Sequence, residues 1–546
     1  MENINTKLRE YVVKSFVSSE DAIFFTKSKT HEKGKWFFNF KKYICTSDFI
    51  DVYTEEFVSR YKNIYPFQVC GLESTALPLI GAISQKMNSM GMPINAFYVR
   101  KSRKKDGLLN IIEGEVSEAR IISVDDIVNS GSTLIKQYEV LSKINKKIDI
   151  AFSVISYRDN KYYEDFYKKY KIKVETVFNL SEVREELNID ELEVKEEKPK
   201  INKYKIKWML NGDNFNYFYV NPKSSPVVYN NNIYYGRSDG KFLCVNADGI
   251  IIWSYNINYG AMGKFLFSTP LIYKNTVIFG AYDGNVYCLD TDTGKVKWIN
   301  FDCDWVGSSP DISIKNNLVY IGAEYGLWRK RGGLIAVSVD TGELVWAYKD
   351  MPEYTHSSPL CVDKLNMVFC GSNDGFLYAF DNNSGKLIWK VECGGSVKHR
   401  PAYSEGLIVV ADNINCVTAF DKNGKKIWEH KMFFGSYCTP KILDGKVYVT
   451  SFDKYIYCLD LKSGSLIWSN QTSSRIFSSV EIIDNNIYFG SNSGILYEMD
   501  KNIGEIISEQ IFPERITDKV VYDKKLNTLY VTDYVGNLYA LDISFA

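Results

Sequence analysis

The sequence has little of what metal centres and disulfide frameworks require. Its 546 residues include 4 histidines, which stand far apart and offer no spacing typical of a zinc site. The 11 cysteines are odd in number, none are adjacent, and none form a Cys-x-x-Cys pair. Scattered thiols of this kind are typical of reduced cysteines packed in protein cores. These absences exclude a zinc module and a disulfide-stapled secreted scaffold.

A net charge and long apolar runs are also missing. Lys+Arg and Asp+Glu balance at 66 each, which argues against a nucleic-acid or membrane-surface partner. No apolar run reaches the length that spans a bilayer, and Met1–Phe16 lacks the apolar segment of a signal peptide. The sequence therefore predicts a soluble, cytoplasmic protein that binds neither nucleic acid nor membrane.

The length of the chain predicts more than one domain, because a single core rarely extends over so many residues. A hydrophobic fraction of 45% with 39 Tyr and 31 Phe is typical of folded, globular domains. Residues 182–205 are dense in charge, and Val194–Lys203 has the composition of a solvated linker. We predict one domain over residues 1–193, a linker over 194–203 and a second domain over 204–546.

The stretch Arg120–Thr133 has a layout that indicates chemistry. An apolar run of strand length ends at Val124, two carboxylates follow at Asp125 and Asp126, and a small-residue turn leads into a helix from Leu134 to Lys143. The turn consists of Asn129, Ser130, Gly131, Ser132 and Thr133. Its backbone N–H groups and the helix N-terminus suit a phosphate, whereas the paired acids suit the hydroxyls of a sugar. The alternative is a buried strand with a solvated turn.

The rest of the first domain alternates strand-like and helix-like segments, which predicts a parallel α/β sheet. Glu73, Arg100, Asp125 and Arg158 each follow a strand candidate. Ligands of such sheets bind beyond the carboxyl ends of the strands, so these residues are expected in a single site.

These motifs resemble a known family. Arg120–Thr133 is similar to the phosphoribosyl-pyrophosphate signature of the type I phosphoribosyltransferases, and residues 15–190 as a whole resemble orotate phosphoribosyltransferase. Trp36–Asn39 resembles the strand that binds the base, Gly71–Pro78 the pyrophosphate loop and Arg100–Gly107 the mobile basic loop. The resemblance implies a type I phosphoribosyltransferase α/β fold for the first domain.

The same resemblance implies roles for individual residues. Asp125 and Asp126 would hold the ribose 2′- and 3′-hydroxyls, and Asn129–Thr133 would cradle the 5′-phosphate. Arg158 would meet the carboxylate of orotate. The pyrophosphate loop would contribute Glu73, Ser74 and Thr75, and the base would lie against Phe37 or Phe38. The catalytic set on the closing loop would be Arg100, Lys101, Lys104, Lys105 and Asp106, whose cations would neutralise the leaving pyrophosphate and exclude water.

Further expectations concern the cofactor and the assembly. Mg²⁺ would bridge pyrophosphate and ribose oxygens, held mainly by substrate and water and by no dedicated protein ligand. In this family the loop reaches over a neighbouring subunit, which implies a homodimer. The chain departs from the family pattern at Asp106, where a histidine is usual, at Tyr157, where an aspartate is usual, and at Ala76, where a glycine is usual.

The C-terminal part of the chain repeats itself. Tryptophans recur at positions 253, 298, 346, 389, 428 and 468, and a period near forty with several short strands per unit predicts a β-propeller. Eight units are counted from the ends of their third strands. The last unit has no tryptophan strand of its own. Lys205–Trp208 supplies one, so the ring is expected to close by pairing its two ends.

The repeats resemble those of pyrroloquinoline-quinone-type propellers, a likeness that implies architecture only. The adjacent cysteines typical of quinone-dependent enzymes are missing, so the propeller is interpreted as a binding or assembly platform for a partner. Cys244, Cys288 and Cys458 occupy a small-residue position and are predicted to be core. Trp328–Gly333 interrupts the third unit, and we interpret it either as a functional loop or as an ordinary surface insertion.

The sequence thus predicts a multidomain α/β and all-β protein. Its predicted activity is the Mg²⁺-dependent transfer of phosphoribose from phosphoribosyl pyrophosphate to an orotate-like base. The alternative is a non-catalytic sensor or scaffold, in which the first domain binds phosphoribosyl pyrophosphate or a nucleotide and the propeller binds a protein partner.

Overall fold

The computed structural model describes residues 2–18, 36–73, 75–100, 111–187, 200–212, 224–237, 239–257, 266–326 and 329–544. The chain divides into two compact units, and the second begins at Asn202. The end of the predicted linker is therefore part of the second unit. The ammonium of Lys203 lies 3.1 Å from the buried Glu498 carboxylate, and this long-range ion pair removes Lys203 from solvent. No helix in the described ranges has the length and apolar composition needed to cross a membrane.

The first unit alternates helices and strands, as predicted. Its helices are α1 Glu2–Ser15, α2 Ser47–Tyr61, α3 Ala76–Ser89, α4 Ser132–Ser142, α5 Asn160–Tyr170 and α6 Leu180–Val183, with 3₁₀ turns at Phe40–Lys42 and Lys62–Ile64. Its strands are β1 Phe16–Ser18, β2 Trp36–Phe38, β3 Phe67–Cys70, β4 Tyr98–Val99, β5 Ile112–Glu113, β6 Arg120–Val124, β7 Ile127–Val128, β8 Ile150–Ser156, β9 Lys173–Asn179 and β10 Lys200–Ile201.

The central sheet of the first unit is parallel, and it brings several carboxyl ends to one edge. Strands β3, β6, β8 and β9 pair in parallel, and β4 joins β3 through bridges that include Leu72 with Val99. All four residues of β3 are buried, as expected for a central strand covered on both faces. The α/β prediction for this domain is confirmed. In the apolar run Ile94–Val99, only the last two residues form a ladder with β5.

The second unit is a propeller of eight antiparallel blades, and each blade contains four strands of this unit, so the predicted count is confirmed. Blades 1 to 4 contain the strands Val227–Tyr229, Asn232–Gly236, Lys241–Asn246 and Ile251–Asn256; Leu271–Tyr273, Thr276–Gly280, Val286–Asp290 and Val296–Asn300; Asp311–Ser313, Leu318–Tyr325, Arg331–Ser338 and Leu344–Met351; Leu360–Val362, Met367–Gly371, Phe376–Asp381 and Leu387–Glu392. Blades 5 to 8 contain Ala402–Ser404, Leu407–Ala411, Cys416–Asp421 and Lys426–Lys431; Lys441–Leu443, Lys446–Thr450, Tyr455–Asp460 and Leu466–Gln471; Glu481–Ile483, Asn486–Gly490, Ile495–Asp500 and Ile506–Ile511; Val521–Asp523, Thr528–Thr532, Leu538–Asp542 and Lys205–Leu210.

The ring closes through its eighth blade. Lys205–Leu210 pairs antiparallel with Leu538–Asp542, and Met209 lies opposite Tyr539. Three strands of this blade come from the end of the chain, and the fourth precedes the first blade. The predicted pairing of the two ends is confirmed, and it leaves no open end in the ring.

The repeated tryptophans hold neighbouring blades together. The indole N–H of Trp253 donates to the carbonyl of Thr291, at 2.8 Å, in the next blade. The ring also covers Gly294, whose φ is +67° and whose Cβ, if present, would lie 2.6 Å from the indole. Glycine is required here because the turn is left-handed and the indole leaves no room for a side chain. The same indole bond to the following blade is made by Trp208, Trp298, Trp389, Trp428 and Trp468.

The cysteines opposite these tryptophans are core residues, as predicted. Cys244, Cys288 and Cys458 face Trp253, Trp298 and Trp468 across the sheet and are fully buried. Burial raises the pKa of Cys288 to about 11 and that of Cys458 to about 12. Thiols held neutral in this way are poor nucleophiles and poor metal ligands.

The interruption in the third blade is mostly an extended hairpin. Arg331–Ser338 is a strand of eight residues that pairs with Leu318–Tyr325, so Gly332 and Gly333 lie in a ladder and not in a loop. A Cβ on Gly332 would lie 2.2 Å from the Thr355 hydroxyl, so glycine permits this close approach. Trp328 lies outside the described residues.

Candidate functional site

The turn before α4 forms a cradle for an anion. Gly131 is its N-cap residue with φ +74°, and a Cβ there would lie 2.5 Å from the Phe166 ring. Only glycine meets both constraints. No side chain caps α4. The first N–H groups of a helix have no partner within the helix, so the N–H groups that follow Gly131 suit a phosphate.

Two tyrosines of α5 hold this turn from behind. The Tyr163 hydroxyl donates to the carbonyls of Val128 and Asn129, at 3.1 and 2.9 Å, and the Tyr162 hydroxyl donates to that of Ser130, at 3.1 Å. A planar peptide directs its N–H opposite to its carbonyl. The amides after these carbonyls therefore face away from α5. Sequence reasoning missed both tyrosines, because no local motif marks them.

A buried glutamine fastens α4 to the sheet. The side-chain oxygen of Gln137 accepts from the Ser123 hydroxyl, at 3.0 Å, and from the Cys70 thiol, at 3.3 Å. Its side-chain nitrogen donates to the carbonyl of Thr133, at 3.3 Å. The end of the cradle is thus tied to β3 and β6. This contact was also missed from the sequence, since a glutamine inside a helical pattern carries no sign of its partners.

The paired acids stand at the break between β6 and β7. Asp125 Oδ1 accepts from the backbone N–H of Asp126, and Asp126 Oδ1 accepts from that of Ile127, both at 3.0 Å. Thr75 donates a longer bond, at 3.4 Å, to the same Asp125 oxygen. Apart from the contact between the two carboxyl groups themselves, neither Oδ2 atom takes part in a hydrogen bond within the described part of the chain. Two oriented acceptors are therefore left beside the cradle.

Electrostatic strain accompanies this arrangement. Burial, followed by the neighbouring Asp126 carboxylate, raises the pKa of Asp125 well above its usual range. A group that donates hydrogen bonds to both carboxylates, or a cation between them, would relieve the strain. The pair is therefore suited to an occupant that brings hydroxyls or positive charge.

This strain predicts that Asp125→Asn stabilises the unliganded protein. The variant keeps the oxygen that accepts from Asp126 but removes the charge. We expect the Tm to rise by about 2–4 °C, the shift that about 1 kcal/mol produces in a domain of this size.

The pH dependence of this gain follows from the raised pKa of Asp125 in the folded state. The gain should be absent below the carboxyl pKa of the unfolded chain, about 4, and should grow as the pH rises towards the folded value. Differential scanning calorimetry from about pH 4 to 8 checks this. Equal Tm values for variant and parent throughout would contradict the account of the strain.

Arg100 lies at the mouth of the basic segment and is paired with two carboxylates. Its guanidinium is 3.1 Å from Glu73 and 3.8 Å from Glu113. Its backbone N–H donates to the carbonyl of Ile111, at 2.8 Å, so the residues that flank segment 101–110 are held together. The structure thus brings the predicted residues Glu73 and Arg100 into contact and adds Glu113. Lys101, Lys104, Lys105, Asp106 and Ser74 lie outside the described residues.

The residues proposed for the base lie near the end of β8. The Arg158 guanidinium lies over the Tyr162 ring, 5.3 Å from its centre, and the Arg158 carbonyl accepts from the Asn179 amide, at 2.6 Å. Phe38 is only 6% exposed and packs in the core with Phe40 and Tyr157. This burial gives Phe38 a packing role. The side chain of Phe37 is outside the described part of the structure.

Comparison with known proteins shows that two parts of the chain match two different family models. Residues 54–188 match the family model described as phosphoribosyl transferase domain. Residues 203–348, 330–433 and 415–544 match the model described as outer membrane protein assembly factor BamB, and together these segments cover more than half of the chain.

Individual relatives agree with this division. An orotate phosphoribosyltransferase of a Bradyrhizobium species is 30% identical over 128 residues, which cover 22% of this chain and 69% of the relative. The quinoprotein alcohol dehydrogenase PedE of Pseudomonas putida is 32% identical over 96 residues, 17% of this chain and 15% of the relative. The structure of BamB from Moraxella catarrhalis matches with a TM-score of 0.51 and 18% identity, over 62% of this chain and 98% of that one. At this identity the likeness to BamB shows the fold alone.

Proposed function

Because the chain belongs to the phosphoribosyltransferase family through its first unit, and to the BamB-type repeat family through its second, we propose that it transfers phosphoribose from phosphoribosyl pyrophosphate to an orotate-like base. The observation that carries this proposal is the contiguous set of Asp125, Asp126 and the Gly131 cradle at the carboxyl edge of the sheet. An anion site next to two oriented carboxylates matches a phosphorylated sugar.

The chain's own residues position the sugar. The N–H groups after Gly131 would hold the 5′-phosphate, and the free oxygens of Asp125 and Asp126 would accept from the 2′- and 3′-hydroxyls. In the reaction the bond from C1 to the pyrophosphate oxygen breaks, and a bond from C1 to a ring nitrogen of the base forms. Positive charge develops on the sugar while negative charge gathers on the leaving group. Because the sugar is held at its phosphate and at both hydroxyls, its C1 atom would lie between the base and the leaving pyrophosphate.

The leaving group would be stabilised by the basic segment. Arg100 is fixed by Glu73 at the start of this segment, and Lys101, Lys104 and Lys105 follow it in the sequence. When bound, Mg²⁺ would supply positive charge to the pyrophosphate. Substrate and water would supply most of its ligands, and the negative charge of the neighbouring Asp125 and Asp126 carboxylates suits a cation. Closure of the segment would exclude water from the reactive sugar.

Arg158 is proposed to select the base. If its guanidinium pairs with the carboxylate of orotate, Arg158→Ala should lower kcat/KM for orotate by about tenfold to a hundredfold. The same variant should change the rate with uracil, which lacks the carboxylate, by less than about twofold. The assay is steady-state pyrophosphate release with each base.

A matched control for this assay is Arg120→Ala, which removes an exposed arginine at the opposite end of β6. It should leave both rates unchanged. Equal losses with orotate and uracil in Arg158→Ala would remove Arg158 from base recognition.

A second candidate is a non-catalytic sensor or scaffold. It is favoured by Asp106, which puts an acid where the resembled family has a proton donor, beside a developing negative charge. On this reading the first unit binds phosphoribosyl pyrophosphate or a nucleotide and the propeller binds a protein partner. We also propose a cytoplasmic homodimer in either case. Replacing Asp106 with histidine separates the two candidates, because a slow enzyme should become faster whereas a pure binder should show no turnover.

A further inference from the structure

The central channel of the propeller contains an open cavity of about 760 Å³, lined by residues of the second unit. The first strands of neighbouring blades lie side by side around it. A cavity of this size accommodates a metabolite with a ring and a charged group. Neither the proposed transferase activity nor the packing of the blades uses it.

Because the blades repeat, equivalent positions around this cavity can be compared from blade to blade. Six of its eight equivalent ring positions carry a hydroxyl: Ser225, Thr269, Ser309, Ser358, Thr439 and Ser479. Most of these hydroxyls accept from the backbone N–H of the preceding blade, as Thr269 does from Ser225, at 3.0 Å. The equivalent bonds to Ser309, Ser358, Ser479 and Ser225 measure 2.8–3.1 Å. The hydroxyl ring thus has a structural role.

Two positions of the ring break this pattern with cations. Arg400 replaces the hydroxyl in blade 5 and Lys519 replaces it in blade 8, so the hydrogen bonds expected from Ser358 and Ser479 cannot form there. At these two positions a hydrogen bond between neighbouring blades is replaced by a charged side chain beside a cavity. Departures of this kind from a local rule are expected at functional positions.

A third cation lies on the same side of the channel. Lys441 in blade 6 occupies a position that is apolar in five blades, as Val227, Leu271, Leu360, Ala402 and Val521. It is half-buried and forms no ion pair with any residue that the structure describes. Burial and the positive charge of Lys519 lower the pKa of Lys441. Two ammonium groups near each other in a partly desolvated cavity repel, and a bound anion would offset this.

The acids near these cations only partly balance them. Glu481 lies 2.5 Å from Lys519, and Asp311 lies 3.7 Å from Arg400. Asp518 also lines the cavity, and burial raises its pKa well above its usual range, which favours its neutral form. Lys441 forms no ion pair of its own within the described residues, although the Glu481 carboxylate partly offsets its positive charge. The two lysines thus share one carboxylate, which leaves a net positive charge at Lys441 and Lys519.

Aromatic rings lie on the same arc of the channel. The Tyr437 and Phe477 rings, 5.8 Å apart, line the cavity, and the Lys398 ammonium lies 5.0 Å from the centre of Tyr437. A flat ring can stack against such a surface while an attached anion reaches the lysines.

We propose that the propeller channel binds a phosphate monoester that carries a flat ring, with the phosphate at Lys441 and Lys519 and the ring against Tyr437 and Phe477. A phosphate monoester carries a charge of about −2 near neutral pH, which matches two lysines better than a carboxylate does. This site is separate from the sugar-phosphate site of the first unit.

The test uses the full chain with Asp125→Asn and Asp126→Asn, so that the first site contributes little. Calorimetric titration with uridine 5′-monophosphate should show one site, and Lys441→Met should weaken it by at least about tenfold. Lys519→Met is a second variant in case the first perturbs folding. Lys425→Met, which alters an exposed lysine on the outside of blade 5, should leave the affinity unchanged.

Titrations with uridine and with inorganic phosphate separate the contributions of ring and phosphate, and each should bind more weakly than the nucleotide. The proposal is overturned if uridine 5′-monophosphate fails to bind at about 1 mM. It is also overturned if both lysine variants bind it as well as their parent does, or if uridine binds equally well. These outcomes do not depend on turnover, so they leave the proposed transferase function to its own assay.

Discussion

Changing Asp125 and Asp126 together to asparagine should weaken the binding of phosphoribosyl pyrophosphate by about a hundredfold. Each carboxylate is left with one free, oriented oxygen beside the cradle, and a charge-assisted bond to a ribose hydroxyl contributes about 1.5–3 kcal/mol. About 1.4 kcal/mol corresponds to a factor of ten, so the loss of two such bonds gives at least this effect. Isothermal titration calorimetry measures it directly.

The matched control is Asp149→Asn, which changes a carboxylate at the amino end of β8. Asp149 accepts from the backbone N–H of Ile121, at 3.1 Å, and asparagine can keep that bond. The control should bind phosphoribosyl pyrophosphate like the parent. If the double variant also binds with unchanged affinity while remaining folded, Asp125 and Asp126 have no place in the site.

Replacing Lys205–Leu210 with a Gly/Ser segment of equal length should strongly destabilise the propeller. Blade 8 would lose its fourth strand, and blade 1 would lose the Trp208 indole that bonds to the carbonyl of Ala247, at 2.6 Å. Removing a packed tryptophan alone typically lowers the free energy of unfolding by about 3–5 kcal/mol. We expect a loss of at least this size, measured by denaturant unfolding of the full chain.

The control is Trp468→Ala, which removes the same kind of contact between blades 6 and 7 but leaves every strand in place. It should destabilise the protein less than the segment replacement does. If the segment replacement lowers the free energy of unfolding by no more than Trp468→Ala does, closure of the ring by this strand contributes little to stability.

Local and periodic patterns account for what could be predicted from the sequence. The strand, acids, turn and helix of Arg120–Ser142 are contiguous, so their order can be interpreted without knowing any long-range contact. The third strands identified eight blades because each blade repeats the same order of four antiparallel strands. Strand β8 is a mostly apolar run between polar segments, so a local pattern is enough to indicate it.

The remaining features depend on contacts between distant residues. Tyr163 supports the carbonyl of Val128 from 35 residues away, and nothing near either residue indicates this. Lys203 looked like part of a charged linker, yet its partner Glu498 is 295 residues away. Phe38 was one of two candidates for the base, and only the packing of β2 against Tyr157 assigns it to the core. Whether such a side chain is assigned to the core or to a site depends on which face of its strand is buried.

Pyrophosphate release from phosphoribosyl pyrophosphate, with and without orotate, is the measurement that tests the proposed transferase most directly. The parent chain should release pyrophosphate only when a base is present, and the Asp125→Asn, Asp126→Asn double variant should lose at least about a hundredfold in rate, as it does in affinity. The contrary result is a parent chain that shows no base-dependent release with any pyrimidine or purine, and no gain when Asp106 is changed to histidine. The first unit would then be a binding module and not a transferase.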